Sequence, residues 1–253
     1  MTQLITFTGG LGAQLFSAAG YFYLEQSGQA VAADLRYFDR PEHVATPGTS
    51  GQISHWGWDL DHYGLSKASF RTATAGNLVP DGPEKIRLAM CGFNEPAVVD
   101  RFKLSPAVQA QRQQLFGQDS YACLHVRRGD YVNVATYIVD DEALCRAVSK
   151  VVRLVKHLLV VSDTPLSPKM VELLSALPIE AVVAIGGEAL MVHGLMRLAD
   201  VLVCSNSQYS LSAAVMRDKY SLTLYPSRHD GDPASYSNAF LGSIREFQLL
   251  SRF

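Results

Sequence analysis

Residues 120–131 read SYACLHVRRGDY, an apolar run that ends in two arginines and a glycine. From Ser120 to Arg128 the pattern is that of a strand, in which successive side chains point to opposite faces. Tyr121, Cys123, His125 and Arg127 then share one face, and Ala122, Leu124, Val126 and Arg128 share the other. His125 and Arg127 point the same way, at the end of the strand and beside a turn at Gly129. A guanidinium offers a planar fork of donors and stays charged at physiological pH, which suits it to phosphate oxygens. Arg127 is therefore expected at an anion site, with Arg128 turned into the structure. The competing expectation is that both arginines pair with Asp130 and other carboxylates as scaffolding.

Outward from this strand, apolar runs of strand length alternate with helical patterns, which predicts an α/β fold of parallel sheets wrapped by helices. Leu4–Thr8 is expected as a buried strand, followed by a turn over Gly9–Gln14. A helix carrying Leu15, Ala18, Ala19 and Phe22 comes next and stops at Ser27-Gly28. Ala30–Asp34 and Ile86–Phe93 are expected strands, with long loops and short elements from Pro41 to Pro83 between them. Ser105 and Pro106 open a helix that ends at Gly117. After it the expected elements are a helix capped by Asp140, a strand at His157–Ser162, a helix from Ser167-Pro168 and a strand at Glu180–Ile185. A turn at Gly186-Gly187 leads to a helix over about Glu188–Leu198. Val201–Cys204 is then a buried strand that delivers Ser205–Gln208 to a helix running to about Arg217. Ser221–Tyr225 is expected to close the sheet. Pro226–Pro233 reads as a loop before a terminal helix with Phe240, Leu241, Ile244, Phe247 and Leu250. The pattern restarts after Gly117, so two domains are expected, 1–118 and 119–253, with the terminal helix able to cross back.

A chain of 253 residues, 48% hydrophobic and 18% charged, buries a substantial core. A net charge of −2 creates no field that would draw a nucleic-acid backbone, so any anion is bound by a local site. Cys91, Cys123, Cys145 and Cys204 lack the spacing of a zinc site and read as reduced core thiols, which points to a cytoplasmic protein. No signal sequence or membrane-spanning run is legible; a peripheral membrane contact stays compatible with the sequence.

Three elements of the second half fall where an open parallel sheet holds its ligand, at the carboxyl ends of strands. They are His125 with Arg127, Ser162 with Asp163, and Ser205–Gln208. A carboxylate at Asp163 can accept from the N1–H and amino group of guanine, a donor pair that adenine lacks. Ser207 and Gln208, at a helix N-terminus, offer amides, a hydroxyl and the helix dipole to phosphate oxygens. With Arg127 they form a diphosphate clamp that needs no metal. Capping of the following helices is the ordinary alternative for Asp163 and Ser207. Gly9, Gly10 and Gly12 have neither GxGxxG spacing nor a Walker lysine. They predict backbone in unusual dihedrals that lets a ligand approach closely.

Taken together, GGLGAQLFSAAGYFYL at 9–24, HVRRGDY at 125–131, SD at 162–163 and ADVLVCSNSQYSLSAA at 199–214 resemble glycosyltransferase family 11, the α-1,2-fucosyltransferases. That family is grouped with α-1,6- and protein O-fucosyltransferases. The resemblance implies a GT-B fold of two Rossmann-like domains with parallel sheets flanked by helices. It also implies GDP-fucose as donor, an acceptor oligosaccharide, and inversion with no metal and no cofactor. By the same resemblance Arg127 holds the β-phosphate, His125 lies near the nucleotide, Asp163 reads guanine, and Ser207 and Gln208 take phosphate oxygens. Gly10 and Gly12 bring the N-terminal loop over the sugar and diphosphate.

Two departures stand out. Ala13 replaces the family's asparagine in GGLGNQ, and residues 208–212, QYSLS, replace an SFSWW run. An alternative is therefore a GDP-sugar- or glycan-binding relative with altered donor or lost catalysis. An oxidoreductase of Rossmann type is disfavoured by the absent GxGxxG and YxxxK. For the general base the nearest carboxylate to the arginines is Asp130, with Asp59, Asp61, His55 and Glu95 as alternatives. Trp56, Trp58 and Tyr63 suit either a core cluster or a stacking surface for an acceptor sugar.

Overall fold

The computed structural model describes residues 1–39, 57–129, 138–217, 221–227 and 246–249. The chain divides into two compact units, Met1–Leu104 and Ser105–Phe253.

In the first unit β1 (Gln3–Thr6) lies between β2 (Val31–Asp34) and β3 (Asn77–Leu78), all parallel. Helix α1 (Leu11–Gln26) follows β1 and ends where Gln29 N–H reaches the Leu24 carbonyl and Gly28 N–H the Glu25 carbonyl. That is the hydrogen-bond pair of a Schellman stop. Phe7, Phe22, Trp58 and Phe70 pack ring to ring above this sheet; Phe7 and Phe70 meet edge-on with centroids 5.0 Å apart.

Residues 86–93, expected as a strand, are helical. They lie within α2 (Pro83–Asn94), which Pro83 opens and whose buried residues are Leu88, Ala89, Gly92 and Phe93. Spacings of one, three and four put those residues on one helical face. A run of eight apolar-rich residues fits either state; packing on α1 decided. There Gly20 and Gly92 let the two backbones approach, since a Cβ on Gly92 would lie 2.3 Å from the Ala19 carbonyl oxygen. Helix α3 (Pro96–Val99) completes the unit.

The second unit opens with α4 (Pro106–Phe116), capped by the Ser105 hydroxyl, which accepts from Ala107 N–H, and stopped at Gly117. Then follow β4 (Tyr121–Val126), α5 (Asp141–Ser149), β5 (His157–Ser162), α6 (Pro168–Ser175), β6 (Ala181–Ile185), α7 (Ala189–Leu198), β7 (Val201–Val203) and α8 (Gln208–Val215). Strands β8 (Leu222–Ser227) and β9 (Glu246–Leu249) come last. The sheet order is β6-β5-β4-β7-β8-β9, parallel except for β9, which runs antiparallel to β8. Two expectations fail here. Strand β8 is not the last of the sheet, and Phe247 lies in a strand paired with Pro226 rather than in a terminal helix. Phe240, Leu241, Ile244 and Leu250 lie outside the described residues.

Alternation along β4 holds. Ala122, Leu124 and Val126 join Leu144, Val148, Met170 and Leu174 of α5 and α6 in one buried cluster. On the opposite face Tyr121 stacks on Phe116 of α4 at 4.4 Å between centroids and donates its hydroxyl to the Leu195 carbonyl of α7. Arg217, buried just past α8, donates to the carbonyls of Leu222 and Ala199 and to the Thr223 hydroxyl, which ties that helix to β8.

Gly92→Ala should cost about 2 kcal/mol or more, because overpacking against backbone cannot relax by a rotamer change. Thermal unfolding of the variant against wild type checks this. An unchanged melting temperature would mean that α1 and α2 are not in such close contact.

Candidate functional site

In the second sheet β4 has β5 on one side and β7 on the other, so the winding reverses between β4 and β7. Ligands of open α/β sheets bind outside the carboxyl ends of strands at such a reversal. The parallel register pairs Val126 with Ser162 and Leu124 with Val203, which brings Arg127, Asp163 and Ser205 out at the same edge.

Arg127 and Arg128 part as alternation requires. Arg128 turns toward α5 and forms an ion pair with Asp141 there. Its backbone N–H donates to Asp163 Oδ1 at 2.8 Å, and Arg127 Nη1 lies 2.8 Å from Asp163 Oδ2. Asp163, expected as a guanine reader, is thus the carboxylate that holds Arg127. The side chains of this pair are only 14% and 6% exposed. A pair so desolvated costs several kcal/mol if one member is removed, because the other is left charged and buried. Gly129 closes over it: with φ of 20°, it sits where a Cβ would meet Asp163 Oδ2 at 2.5 Å. Glycine is demanded there on two counts, conformation and space. Asp130, expected as a catalytic carboxylate, lies outside the described residues, as do His55 and Trp56.

His125 is buried, and its Nδ1 lies 2.7 Å from the Ser205 hydroxyl. Burial first, then the charges of Arg127 and Arg128, push its pKa down to about 3, so the ring is neutral at physiological pH. Ser205 is 1% exposed and its hydroxyl has no other hydrogen-bond partner among the described residues. Its one proton is satisfied only by donation to Nδ1, which assigns the ring proton to Nε2. Behind His125 stands Tyr209, its ring centroid 5.6 Å from that of His125 and 5.1 Å from that of His193. His193 Nε2 lies 3.0 Å from the Ser212 hydroxyl, which donates to the Tyr209 carbonyl. Burial holds the His193 pKa well below the usual histidine range. Ser205 belongs to the Ser205–Gln208 stretch expected at the ligand edge, though not as a partner of His125; Tyr209 and His193 are not singled out by the sequence, and their signal is a polar residue inside an otherwise apolar element.

Ser207 is the N-cap of α8, its hydroxyl accepting from Tyr209 N–H at 3.2 Å. Capping is thus one of its roles. Gln208 is the first residue of the helix and half-buried. The N-terminus of α8 and its dipole sit just past β7, beside the Ser205 that braces His125.

In the first unit the glycines behave differently from expectation. Of Gly9, Gly10 and Gly12, Gly9 alone has positive φ, at 71°, while Gly10 is an extended N-cap of α1 and Gly12 is buried in the helix's first turn. Helix geometry suits any residue at Gly12, so the unusual dihedral is needed once. Gln14, fully buried, donates to the carbonyls of Gly9 and Gly57, each at 2.8 Å, and accepts from Asp59 N–H at 2.9 Å. Trp58, half-buried, donates to the Leu65 carbonyl and packs on Phe7, Phe38 and Phe70. Asp61 and Glu95 are exposed. Asp59 is partly buried, and burial raises its pKa to about 6 against the opposing effects of His62 and the Leu11 amide.

Among the described residues no group of three or more His, Cys, Asp or Glu side chains is placed to hold a metal ion, and no helix is long and apolar enough to cross a membrane. All four cysteines are free thiols.

Two measurements check this geometry. Nitrogen NMR of His125 should show a neutral ring protonated at Nε2 across about pH 5 to 8, and Ser205→Ala should mix the tautomers. An Nδ1-protonated ring in wild type would overturn the assignment. The second is linkage. His125 takes up a proton more readily unfolded, at its ordinary 6.5, than folded, at about 3, so it makes stability fall as pH drops below 6.5. Asp59, at about 6 folded and 3.8 unfolded, works the other way, with stability lost as pH rises toward 6. Urea denaturation at about pH 5 and 7 should show His125→Gln losing part of the acid-side fall and Asp59→Asn losing the opposing contribution.

No protein-family model and no curated protein sequence matches the chain. Solved structures do. The chain is similar to the NodZ α-1,6-fucosyltransferase soaked with GDP-fucose, with a TM-score of 0.50 at 13% identity over 100% of this chain and 99% of that one. It is also similar to POFUT1 in complex with GDP-fucose, with a TM-score of 0.51 at 12% identity over 88% of this chain and 97% of that one. At such identity the likeness shows the fold: an α/β chain with two sheets of parallel strands flanked by helices.

Proposed function

We propose that this chain is an inverting, metal-independent fucosyltransferase of the GT-B class, similar to glycosyltransferase family 11. It would move L-fucose from GDP-fucose to a hydroxyl of an acceptor glycan in α-1,2 linkage, in the cytoplasm. The observation that carries the reading is the convergence of Arg127, its partner Asp163, neutral His125 and the α8 N-terminus at the reversal point of the second sheet. The two similar structures, a NodZ α-1,6-fucosyltransferase soaked with GDP-fucose and POFUT1 in complex with GDP-fucose, support the choice of donor.

The step to be catalysed is attack of the acceptor oxygen on fucose C1 while the bond from C1 to the β-phosphate oxygen breaks and GDP leaves with the electron pair. Charge grows on the departing diphosphate. Arg127 meets it as a guanidinium held in place by Asp163, His125 as a neutral Nε2–H donor, and α8 with amides, the Gln208 side chain and its dipole. Ser207 keeps its cap while its hydroxyl proton is directed at a phosphate oxygen. Arg127 is already oriented, so little reorganisation is needed as the charge develops. Asp163 has a second lone pair on each oxygen beyond those facing Arg127 and Arg128 N–H, and these are what guanine would use. In this reading residues 1–118 carry the acceptor side, with Gly10 and Gly12 in the loop that covers the sugar, and 119–253 bind the donor. One observation favours a second reading, a GDP-sugar-binding relative without catalysis. Ala13 replaces the family's amide beside Gly9, whose Cβ position lies 3.3 Å from the Ala13 Cβ.

Calorimetry should show GDP bound more tightly than ADP or UDP. Asp163→Asn should weaken GDP and erase the preference over ADP, whereas an equal loss for all three nucleotides would leave Asp163 as a holder of Arg127 alone. Arg127→Ala should lower fucosyl transfer by about 100-fold or more. Arg128→Ala should act mainly on stability through its pair with Asp141. Equal loss of transfer in two well-folded variants would overturn the separation of roles. Transfer should survive EDTA, and a requirement for magnesium or manganese would refute the clamp. Ala13→Asn should change rate or acceptor choice and leave GDP affinity nearly unchanged.

A further inference from the structure

We infer that Asp141 is a positioning residue for recognition of the nucleotide base: it keeps the buried Arg128 guanidinium off Asp163, whose remaining lone pairs then stay open to guanine. This rests on the reading of Asp163 proposed above, and every residue involved belongs to the second unit. Three observations lead to it, and the first is how the loop that carries Asp163 is tied. Residues 163–167 join β5 to α6, and both ends lead back to Arg128. At the start, the Arg128 N–H donates to Asp163 Oδ1 at 2.8 Å. At the end, Ser167 caps α6, accepting from Met170 N–H at 3.0 Å, and donates its hydroxyl to Asp141 Oδ2. Asp141, the first residue of α5, gives its other oxygen to the Arg128 guanidinium.

The second observation is burial. Lys169 and Glu142 also link α6 to α5, but their side chains are 58% and 51% exposed, so that pair contributes little. The side chains of Arg128 and Asp141 are 17% exposed each, and a guanidinium so desolvated needs a carboxylate. Without Asp141 the one at hand is Asp163. The peptide between Arg127 and Arg128 shows why: its carbonyl accepts from Arg128 Nη1 at 2.9 Å while its N–H holds Asp163. The guanidinium thus already lies against the peptide unit to which Asp163 is bonded.

The third is what Asp163 still has to offer. Guanine presents N1–H and an amino group side by side, so a carboxylate that reads it needs a lone pair on each oxygen. Asp163 Oδ1 has accepted one donor, the Arg128 N–H. Asp163 Oδ2 is buried and, apart from its ion pair with Arg127, has no hydrogen-bond partner among the described residues. A buried carboxylate oxygen left in that state is completed by a donor from outside. Were the Arg128 guanidinium to turn to Asp163, it would supply that donor itself and close the place to the base. Asp141 prevents this by engaging Arg128 on the α5 side, and Ser167 holds the Asp141 carboxylate in the orientation that does so.

The test is calorimetry of the full chain with GDP and with ADP. Asp141→Asn should lower the preference for GDP over ADP about fivefold or more, and Asp141→Glu should restore part of it. In a chain that also carries Arg128→Met, Asp141→Asn should cost no preference, because the competing guanidinium is gone. Should Asp141→Asn not fold, Ser167→Ala, which frees the same carboxylate from its second bond, should lower the preference about twofold, and Ser167→Thr should restore it. Ser105→Ala removes a cap of the same kind from α4 and should lower stability with the preference kept. A preference unchanged in Asp141→Asn, a loss that persists in the Arg128→Met background, or an equal loss in Ser167→Ala and Ser105→Ala overturns the role of Asp141, while a preference erased in Asp163→Asn still supports Asp163 as the reader of guanine. No preference for GDP in wild type, or one unchanged in Asp163→Asn, overturns that reading and the role of Asp141 with it.

Discussion

Strand β4 is bonded on both edges and packed on both faces, and the second unit is arranged around that constraint. Its backbone groups are taken up by β5 and β7, and all six of its residues are buried. A strand so enclosed has one free end. Whatever polar side chains follow Val126 emerge at the edge where β5 and β7 also stop, and the parallel register fixes which residues meet them there. Arg127 meeting Asp163 is a consequence of the pairing of Val126 with Ser162, one residue earlier on each strand.

That edge concentrates charge in a place poor in water. Two arginines side by side would repel, yet each has its own carboxylate, Asp163 for Arg127 and Asp141 for Arg128, so the edge is neutralised pair by pair. Burial first, and then the nearness of the two guanidinium groups, keeps His125 uncharged. A ring that cannot become cationic can serve as a donor of fixed direction, and Ser205 sets which nitrogen carries the proton. The first unit solves a similar problem with a neutral device. Gln14 satisfies three backbone groups of an irregular loop at once and spares the interior another charge.

Much of this was legible in the sequence. Alternation from Tyr121 to Val126 separates two faces with different neighbours, and it also separates Arg127 from Arg128. Ser105 and Ser167 announced helix starts, and both cap as expected. The failures are instructive. Residues 86–93 are apolar enough for a strand, and nothing local reveals that Gly92 must slide against Ala19. Residues 222–227 and 246–249 pair across a long separation, which local periodicity cannot show. Gly10 and Gly12 carried the signature of strained backbone, but the strain sits at Gly9 alone.

What the sequence by itself determined is the set of local preferences: strand period, helix caps, and the residue types able to meet a diphosphate. These depend on neighbours within a few positions, so they can be read from the chain. What only the tertiary structure decided is which polar groups satisfy one another. Asp163 holds Arg127 across 36 positions, Ser205 braces His125 across 80, and Gln14 reaches Asp59 across 45. The physical reason is that a buried charge or hydrogen-bonding group takes its partner from whatever packing brings near, and packing joins elements without regard to their distance along the chain.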